Sequence, residues 1–387
     1  MTAYWRLSGL YLFYFAALGA LLPYLALYLD LLDFSAREIG LLLAVQITAR
    51  IVAPNLVAWY SDRSGRRMLT VRLAGFGCCA SFAGLWLGTS FGWIALVLAA
   101  WAFFFSAMLP QFEATALNHL GAGGYGRIRV WGSLGFIIAV VAVGPALDRY
   151  GAAFLLPVMF ALLVALFVCS LVVPDKPHPV DAPPADRFLD ALRRPEVLSL
   201  IAVGLLAQFA HGPYYAFFSL YLEGLGYSRA TIGQMWALGV AAEIGVFIYM
   251  GRLLARFPAR ELLLWSLALS ALRWLLIAAF ADKMAALAVA QLLHLASFGI
   301  FHAVSIGLVH RYFPGRLQGR GQALFSSLTF GAGTALGSAA AGFLWDGFGP
   351  STIWLASAAS AGLALVLLAA NRGAKAPLPQ HEAGRRG

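Results

Sequence analysis

Charged residues are scarce in this chain: Asp, Glu, Lys and Arg make up 11% of its 387 residues, whereas hydrophobic residues make up 61%. Soluble domains carry roughly 25% charged residues, so this composition excludes an ordinary water-soluble protein. Uncharged stretches recur along nearly the whole chain. They are residues 7–29, 73–112, 150–174, 197–222 and 347–371. Because about 20 apolar residues span a bilayer, these stretches predict a polytopic membrane protein.

Cysteines and enzyme motifs are also scarce. Cys78, Cys79 and Cys169 all fall inside predicted spans without metal-ligand spacing, so we interpret them as packing residues and expect neither a metal nor a cofactor. The sequence has no HExxH and no GxxxxGK[ST] motif. Its GxSxG match, "GTSFG" at 88–92, falls in a predicted turn between helices rather than at a strand-to-helix elbow. A membrane-embedded enzyme is therefore disfavoured.

The hydrophobic runs predict an all-α membrane protein with twelve transmembrane helices. The first run is too long for a signal peptide and lacks a small-residue cleavage site, so it is kept as a spanning helix. The predicted helices are about 5–29, 37–60, 69–88, 93–117, 128–147, 151–173, 197–222, 229–251, 262–281, 284–310, 322–345 and 350–371.

The basic residues predict the orientation. With both termini in the cytoplasm, 21 of the 27 Lys and Arg residues fall on the cytoplasmic side and four on the outer side, leaving only Arg50 and Arg273 inside the membrane. This is the positive-inside pattern of a multi-pass protein of the cell inner (plasma) membrane. The net charge of +10 is then an orientation signal, and no nucleic-acid partner is needed to explain it.

The chain contains an internal repeat. The segment "LYLDLLDFSAREIG" (27–40) recurs as "LYLEGLGYSRATIG" (220–233), an offset of 193 residues. Each half contains six predicted helices, so the repeat is parallel and predicts two pseudo-symmetric six-helix bundles. The predicted organisation is an N-terminal bundle (1–173), a proline-rich charged cytoplasmic linker (174–196), a C-terminal bundle (197–371) and a cytoplasmic tail (372–387). A substrate site is expected near the membrane midplane where such repeats meet.

Over essentially its full length the chain resembles the major facilitator superfamily. The superfamily signature between helices 2 and 3 corresponds to "AWYSDRSGRRM", which matches at Asp62, Arg63, Gly65, Arg66 and Arg67 but has Ala58 in place of the first glycine. The resemblance implies that Asp62, Arg66 and Arg67 are gating residues that latch one conformation. The alternative is a basic cluster that only anchors the cytoplasmic side.

More narrowly, the chain is similar to the 3-phenylpropionate:proton symporter family, which is related to the lactose permease group. The matching segments are "YGRIRVWGSLGF", "AHGPYYAFFSLYLEGLGYS", "WALGVAAEIGVF", "ALRWLL" and "QLLHLASFGIFH". The resemblance implies a secondary active transporter that takes up a small organic acid with protons, and it favours a monomer. These segments indicate the family better than the substrate.

Glu243 lies near mid-depth of predicted helix 8, and Arg273 lies at a comparable depth in predicted helix 9. A buried ionised carboxylate is costly unless it is paired or protonated. A proton carrier requires a carboxylate that changes its protonation, whereas a permanent ion pair would only join the two helices. The position of Glu243 is therefore compatible with either role.

Predicted helix 10 places polar side chains on one face, and two of them are histidines, which titrate near neutral pH. The residues on this face are Gln291, His294, His302 and Ser305, with Phe298 between them. In the lactose permease group a helix 8 Glu, a helix 9 Arg and a helix 10 His cooperate in proton coupling. By resemblance, Glu243, Arg273 and His294 take these roles, and His302 is a further candidate. An additional helix 10 carboxylate of that group has no counterpart here.

In the first half, Arg50 and Glu113 form another pair of opposite charges within predicted helices. The same resemblance implies that Arg129 on predicted helix 5 contacts the substrate, with Phe136 where that group stacks an aromatic ring on its ligand. Arginine suits a carboxylate because it donates two parallel hydrogen bonds. The alternative is that Arg129 only anchors the cytoplasmic end of its helix.

Predicted helices 7 and 8 add polar and aromatic side chains, although aromatic core packing gives the same pattern. The substrate-binding candidates are Glu113, Arg129, Phe136, Gln208, His211, Tyr215 and Trp236. We predict proton-coupled uptake of a small aromatic acid such as 3-phenylpropionate by alternating access. The alternatives are a proton-coupled sugar or nucleoside symporter and a drug-type efflux antiporter. The antiporter motif of the superfamily is incomplete in "VAVGPALDRY", where Asp148 and Arg149 replace its second pair of glycines.

Overall fold

The computed structural model describes residues 3–64, 66–174, 188–314 and 317–371, apart from the side chains at 55, 58–60, 62–64, 117–118 and 120–126. Over this part of the chain the regular elements are all helices. They are α1 (Ala3–Leu31), α2 (Ala36–Ser64), α3 (Arg67–Ala83), α4 (Phe91–Tyr150), α5 (Leu155–Leu171), α6 (Phe188–Leu192), α7 (Pro195–Gly224), α8 (Arg229–Arg256), α9 (Ala259–Phe280), α10 (Met284–Leu292), α11 (Phe301–Tyr312), α12 (Gln318–Ser326), α13 (Thr334–Phe348) and α14 (Thr352–Ala370). Short 3₁₀ turns follow α3 (Gly84–Trp86) and precede α5 (Ala152–Phe154).

Two of the long helical segments contain a π-helical turn. Leu295–Ile300 joins α10 to α11, and Ser327–Gly333 joins α12 to α13. Each π turn inserts extra backbone into a helix without ending it, and such turns occur frequently at functional sites. The predicted helices 10 and 11 therefore exist, but each changes its helical phase partway along.

Ten helical stretches of the described chain are long and apolar enough to span a membrane. The other two predicted spans, 37–60 and 322–345, coincide with α2 and with the α12–α13 segment, which are helical but not among the ten. The all-α membrane fold is confirmed, and these two segments lie where the repeat requires helices.

Helix α4 covers two predicted spans, 93–117 and 128–147, in one uninterrupted run of 60 residues. A straight helix would separate Glu113 from Arg129 by about 24 Å, since each residue advances about 1.5 Å. Their side chains nevertheless form an ion pair at 3.2 Å. The chain therefore cannot run straight between these two residues, and α4 contains two apolar spans, Phe91–Ala116 and Arg127–Tyr150.

The internal repeat appears in the backbone as well as in the sequence. Asp33 after α1 and Gly226 after α7, which are 193 residues apart, both have a positive φ, of 60° and 87°. Their N–H groups donate to the carbonyls of Asp30 and Glu223 at 2.9 Å in both turns. The two helices thus end in the same left-handed cap, which glycine adopts freely and aspartate adopts at a modest cost.

The chain divides into two compact units that do not follow the predicted bundle boundaries. The first unit comprises Met1–Ala182, Gly212–Ala237 and Thr334–Pro350, and the second comprises Pro183–His211, Leu238–Gly333 and Ser351–Gly387. Helices α7 and α8 each run from one unit into the other. The predicted bundle boundaries stay a prediction. Most of the predicted linker and the predicted tail 372–387 lie outside the described residues, although α6 falls within the linker range.

Candidate functional site

Arg273, midway along α9, is fully buried in the second unit and has 0% of its side chain exposed. Its Nη1 donates hydrogen bonds to Nδ1 of His294 and to Oγ of Ser297, both at 2.9 Å, and its Nη2 donates to Oε1 of Gln291 at 3.2 Å. The guanidinium also lies over the Trp274 ring at 4.5 Å. Because a buried cation is costly unless its donors are satisfied, these contacts explain how a membrane helix tolerates Arg273.

The contact with Arg273 defines the tautomer of His294. Arginine is always a donor and never an acceptor, so Nδ1 of His294 must present a lone pair to Nη1. A neutral imidazole with a bare Nδ1 carries its hydrogen on Nε2. That Nε2 lies 3.5 Å from Oε2 of Glu243. His294 is therefore neutral in this arrangement, and its N–H is directed at the carboxylate of Glu243.

Glu243 is the member of this network that solvent can reach. Its side chain is 18% exposed, compared with 6% for His294, which lies between it and the sealed Arg273. The sequence analysis predicted that these three residues lie close together, and the structure brings them together as a chain from Glu243 through His294 to Arg273. We name these residues, with Gln291 and Ser297, the polar network.

The π turn Leu295–Ile300 lies between the two histidines of predicted helix 10. The Phe298 ring stacks on His294 with a 5.4 Å centroid distance and on His302 with a 5.6 Å centroid distance. Phe330, from the other π turn, contacts Phe298 and His302 edge-on. Since a phenyl ring neither donates nor accepts a proton, the stack separates His302 from the polar network rather than extending it.

Two of the substrate-binding candidates, Gln208 and His211, are fully buried on α7. Nδ1 of His211 lies 2.9 Å from the Ala207 carbonyl oxygen and must donate to it, because a carbonyl only accepts. The His211 ring meets Trp274 edge-on at 5.1 Å and lies 6.3 Å from the His294 ring. The structure therefore groups His211 with the polar network of the second unit.

Two glycines allow α8 to approach the polar network closely. A β-carbon added at Gly239 would lie 3.2 Å from Oε1 of Gln291. One added at Gly299 in the π turn would lie 2.6 Å from Cγ1 of Val246 and 3.5 Å from Cγ of Glu243. The backbone of the π turn is thus in contact with the helix face that carries Glu243.

We expect Gly299→Ala to destabilise the protein, because Val246 is β-branched and has little rotamer freedom with which to move away. Overpacking of this kind costs roughly 1–3 kcal/mol. The matched control is Gly362→Ala in α14, where an added β-carbon meets nothing within 4 Å. Thermal unfolding of both variants in one detergent should lower the midpoint only for Gly299→Ala. Equal midpoints would contradict the close packing of α8 against the π turn.

Glu113 and Arg129 form an ion pair in the first unit, with Nη1 of Arg129 at 3.2 Å from Oε1 of Glu113. The sequence analysis set Glu113 opposite Arg50, but the structure pairs it with Arg129, while Arg50 lies over the Trp101 ring at 5.9 Å. Phe136 is buried on α4, and its backbone packs against Gly19 of α1. Glu113 and Arg129 are therefore adjacent and partly exposed, as a shared binding role requires.

The other aromatic candidates, Tyr215 and Trp236, also belong to the first unit. Their rings are nearly parallel, with centroids 6.3 Å apart, and Trp236 also packs against Tyr214 and Phe218. Nε1 of Trp236 donates to Oγ of Ser219 at 3.0 Å. Trp236 is buried by these contacts, whereas Tyr215 keeps a partly exposed surface.

The predicted gating residues lie at the junction of α2 and α3. Arg66 is exposed just before α3, and its carbonyl accepts hydrogen bonds from the N–H and hydroxyl of Thr70. Arg67 is the first residue of α3. The Asp62 side chain lies outside the described residues. The gating role of all three therefore stays a prediction.

At the opposite end of the helices, two aspartates cap helix N-termini across the repeat. Asp148, near the end of α4, accepts hydrogen bonds at 2.9 Å from the backbone N–H groups of Arg229 and Ala230, which begin α8. Asp346, near the end of α13, accepts one at 3.0 Å from the N–H of Arg37, the second residue of α2. A carboxylate at a helix N-terminus is stabilised by the free N–H groups and the helix dipole.

Glycines bring the backbones together beside these caps. A β-carbon added at Gly40 would lie 2.7 Å from the Ser338 carbonyl oxygen, and one added at Gly342 would lie 2.5 Å from that of Ala36. In the other repeat, Gly233 abuts the Val140 carbonyl and Gly144 abuts that of Arg229. We name Asp148, Asp346 and these four glycines the paired contact. All of it belongs to the first unit.

Sequence reasoning missed several of these residues. Ser297 lies three positions after His294, so helical spacing could have found it. Trp274, which follows Arg273 directly, gave no such signal. Asp148 entered the sequence analysis only through the antiporter motif and Asp346 did not enter it, because the partners of both are distant in the sequence. Their role depends on which helix termini the fold brings beside them.

Long apolar helices, a duplicated six-helix plan and a buried network of ionisable groups define an integral membrane transporter of the major facilitator type. The chain belongs to the MFS_1-like family, whose model matches residues 4–356. The predicted superfamily membership and fold are thereby confirmed.

The chain is similar to transporters with different substrates. It is 28% identical over 364 residues to the probable 3-phenylpropionic acid transporter of Escherichia coli K12, covering 91% of this chain and 93% of that protein. It is also 28% identical over 357 residues to the maltose permease of Geobacillus stearothermophilus, covering 89% and 88%. A mutant form of the nucleoside transporter NupG shares the fold, with a TM-score of 0.86, 17% identity, and coverage of 95% of this chain and 99% of that one.

Proposed function

We propose that this protein is a proton-coupled symporter of the inner (plasma) membrane that takes up a small aromatic acid such as 3-phenylpropionate. The observation that carries the coupling proposal is the polar network, in which a partly exposed carboxylate contacts a neutral histidine that is held by a sealed arginine. Similarity to the probable 3-phenylpropionic acid transporter supports the substrate class. Both termini lie in the cytoplasm in this proposal, and the transporter is a monomer.

Glu243 is the proton-binding group in this proposal. His294 can gain a proton on Nδ1 only by losing its hydrogen bond from Arg273, which would bring two cations together. Protonation of Glu243 does not create a second cation, because it makes the carboxylate neutral. Its partial exposure also supports access for water-borne protons, whereas Arg273 is sealed.

A proton on Glu243 weakens the contact that joins α8 to the π turn. The ionised carboxylate attracts the Nε2–H of His294, 3.5 Å away, more strongly than the neutral acid does. Neutralisation also lowers the cost of moving this side chain through a low-dielectric environment. Proton binding therefore favours reorientation of the loaded carrier, as coupling requires. A permanent ion-paired network that only joins the helices is the competing explanation.

The paired contact supports a state in which the outer ends of the two repeats are held together. By the positive-inside pattern, Asp148 and Asp346 face the outside. In alternating access, a carrier with its outer ends closed exposes its site to the cytoplasm. We therefore propose that the paired contact forms in the inward-facing state and breaks when the carrier opens outward, while Asp62, Arg66 and Arg67 act at the cytoplasmic end.

The second candidate function is symport of a neutral sugar or nucleoside. It is favoured by similarity to the maltose permease and, at the level of fold alone, by NupG. The Glu113–Arg129 pair is compatible with either substrate class, because its polar atoms could bind hydroxyl groups or a carboxylate. In both cases Phe136, Gln208, His211, Tyr215 and Trp236 contribute to the substrate site, and His302 remains an additional proton-coupling candidate.

The deciding experiment is uptake of radiolabelled 3-phenylpropionate by proteoliposomes with an acidic exterior and an alkaline interior. We expect accumulation that collapses when a protonophore is added, and competition by other aromatic acids but not by maltose or uridine. Liposomes without protein control for passive entry of the protonated acid. If the pH gradient drives uptake of maltose or uridine but not of the acid, the proposed substrate class is wrong. The proposal that the protein is a proton-coupled symporter would still stand. Uptake indifferent to the pH gradient would contradict proton coupling.

A further inference from the structure

Arg50 is a cation in the middle of α2 for which the polar network and the Glu113–Arg129 pair provide no role. Its Nε is sealed from solvent, whereas the residue as a whole remains partly exposed. Its guanidinium carbon lies 5.9 Å from the centre of the Trp101 ring. The stem of the side chain is thus packed, and the terminal nitrogens are the part left accessible.

The two carboxylates of the polar network and of the Glu113–Arg129 pair leave Arg50 without an anion. Glu113 is occupied by Arg129, and Glu243 is occupied by the histidine that Arg273 holds. Among the described residues no carboxylate lies within ion-pair distance of Arg50, and its Nε has no hydrogen-bond partner. The two carboxylates are therefore both taken by other groups, and one positive charge is left over.

A stacked aromatic wall holds Arg50 in place but does not neutralise it. Trp101 stacks on Phe105 at 4.9 Å, and Phe105 stacks on Tyr14 at 4.2 Å with only 9° between the rings. A cation over an aromatic face gains less than the cost of burying an unpaired charge within a membrane. An arginine at such a position, with its terminal nitrogens accessible, is suited to bind an anion reversibly.

We propose that Arg50 binds the carboxylate of the transported acid. The ligand class is a small monocarboxylate, since one carboxylate balances the one surplus positive charge. A neutral sugar or nucleoside would leave that charge uncompensated. This inference rests on the proposed function and adds the residue that selects the charge of the substrate, a role that the sequence analysis gave to Arg129.

The test compares 3-phenylpropionate with its uncharged amide, 3-phenylpropionamide, in binding to the purified full-length protein at pH 7 without a gradient. We expect the wild type to prefer the acid. Arg50→Gln should weaken acid binding by about 10- to 100-fold, because hydrogen bonds between charged groups are strong, while amide binding changes less than about threefold. Arg50→Lys keeps the charge but loses the two-pronged geometry, so we expect about a tenfold loss for the acid.

The matched control is Arg149→Gln, which removes one positive charge from an exposed position at the end of α4. It should leave both affinities unchanged. Retained amide binding by Arg50→Gln shows that the variant is folded, and if that variant cannot be purified the lysine variant gives the same comparison. If the wild type prefers the acid and both Arg50 variants prefer it equally, the role of Arg50 is overturned while the proposed function stands. If the wild type binds no monocarboxylate, the proposed function itself fails.

Discussion

Replacing Glu243 with glutamine should abolish proton-driven accumulation of substrate while leaving exchange intact. A pH difference of one unit can support about a tenfold gradient of a substrate carried with one proton, because one pH unit is a tenfold ratio of proton concentrations, or about 1.36 kcal/mol at 25 °C. In Glu243→Gln the carrier has no proton to gain or lose at this position, and we expect the accumulation ratio to fall to about one. Counterflow needs only reorientation of the loaded carrier and should persist, since glutamine resembles the protonated carboxyl group.

Both quantities can be measured in the same proteoliposomes. Accumulation is followed with an imposed pH gradient, and counterflow is followed at equal pH with unlabelled substrate inside. The matched control is Glu261→Gln, which removes an exposed carboxylate from the first turn of α9 and should preserve both activities. Intact accumulation by Glu243→Gln would show that another group carries the proton. Loss of counterflow together with accumulation would favour a structural role for Glu243.

The existence of the membrane helices could be predicted from the sequence because the physical signal is local. A run of about 20 apolar residues has few alternatives to a spanning helix, and charges clustered between such runs mark the turns. The proximity of Glu243, Arg273 and His294 was also predictable, since a charge at membrane depth must find a partner at the same depth. The proton-coupling roles of these three residues were inferred from the resemblance to the lactose permease group and not from their spacing.

The order of contacts within the polar network could not be predicted. Opposite charges indicated a direct pairing of Glu243 with Arg273, but His294 lies between them and presents one ring nitrogen to each. The π turn that follows His294 has no sequence signature as clear as the alternation of a helix. Within this turn the Phe298 ring stacks between His294 and His302 and separates His302 from the network.

Pairing in the first half was likewise decided by tertiary structure. Glu113 and Arg129 meet because the chain does not run straight between them, and their spacing in the sequence does not specify that path. The paired contact depends on helices that lie far apart in the chain, as with Asp346 and Arg37. Local propensity carries no information about such distant partners.

Replacing Gly233 with leucine should prevent the outer ends of the repeats from closing. Gly233 lies near the start of α8, where an added β-carbon would collide with the Val140 carbonyl and with the Tyr24 hydroxyl. That hydroxyl already donates to the same carbonyl at 2.7 Å, so neither group can withdraw without breaking the hydrogen bond between them. Backbone atoms on the far side of the contact cannot move aside as a flexible side chain would. We therefore expect the open arrangement of the outer ends to become dominant, and transport to stop.

Spin labels at Tyr150→Cys and Leu225→Cys, both exposed at this end of the first unit, would measure the change in a cysteine-free background. We expect a narrow, short distance distribution in the parent protein and a longer one after Gly233→Leu. Gly251→Leu is the matched control, because Gly251 lies on the same helix with nothing within 4 Å of an added β-carbon. Since Gly40 is the repeat counterpart of Gly233, Gly40→Leu should lengthen the same distance. If Gly233→Leu left both the distance and uptake unchanged, close backbone contact at the outer ends would not be part of the transport cycle; if it stopped uptake without lengthening the distance, the block would lie elsewhere in that cycle.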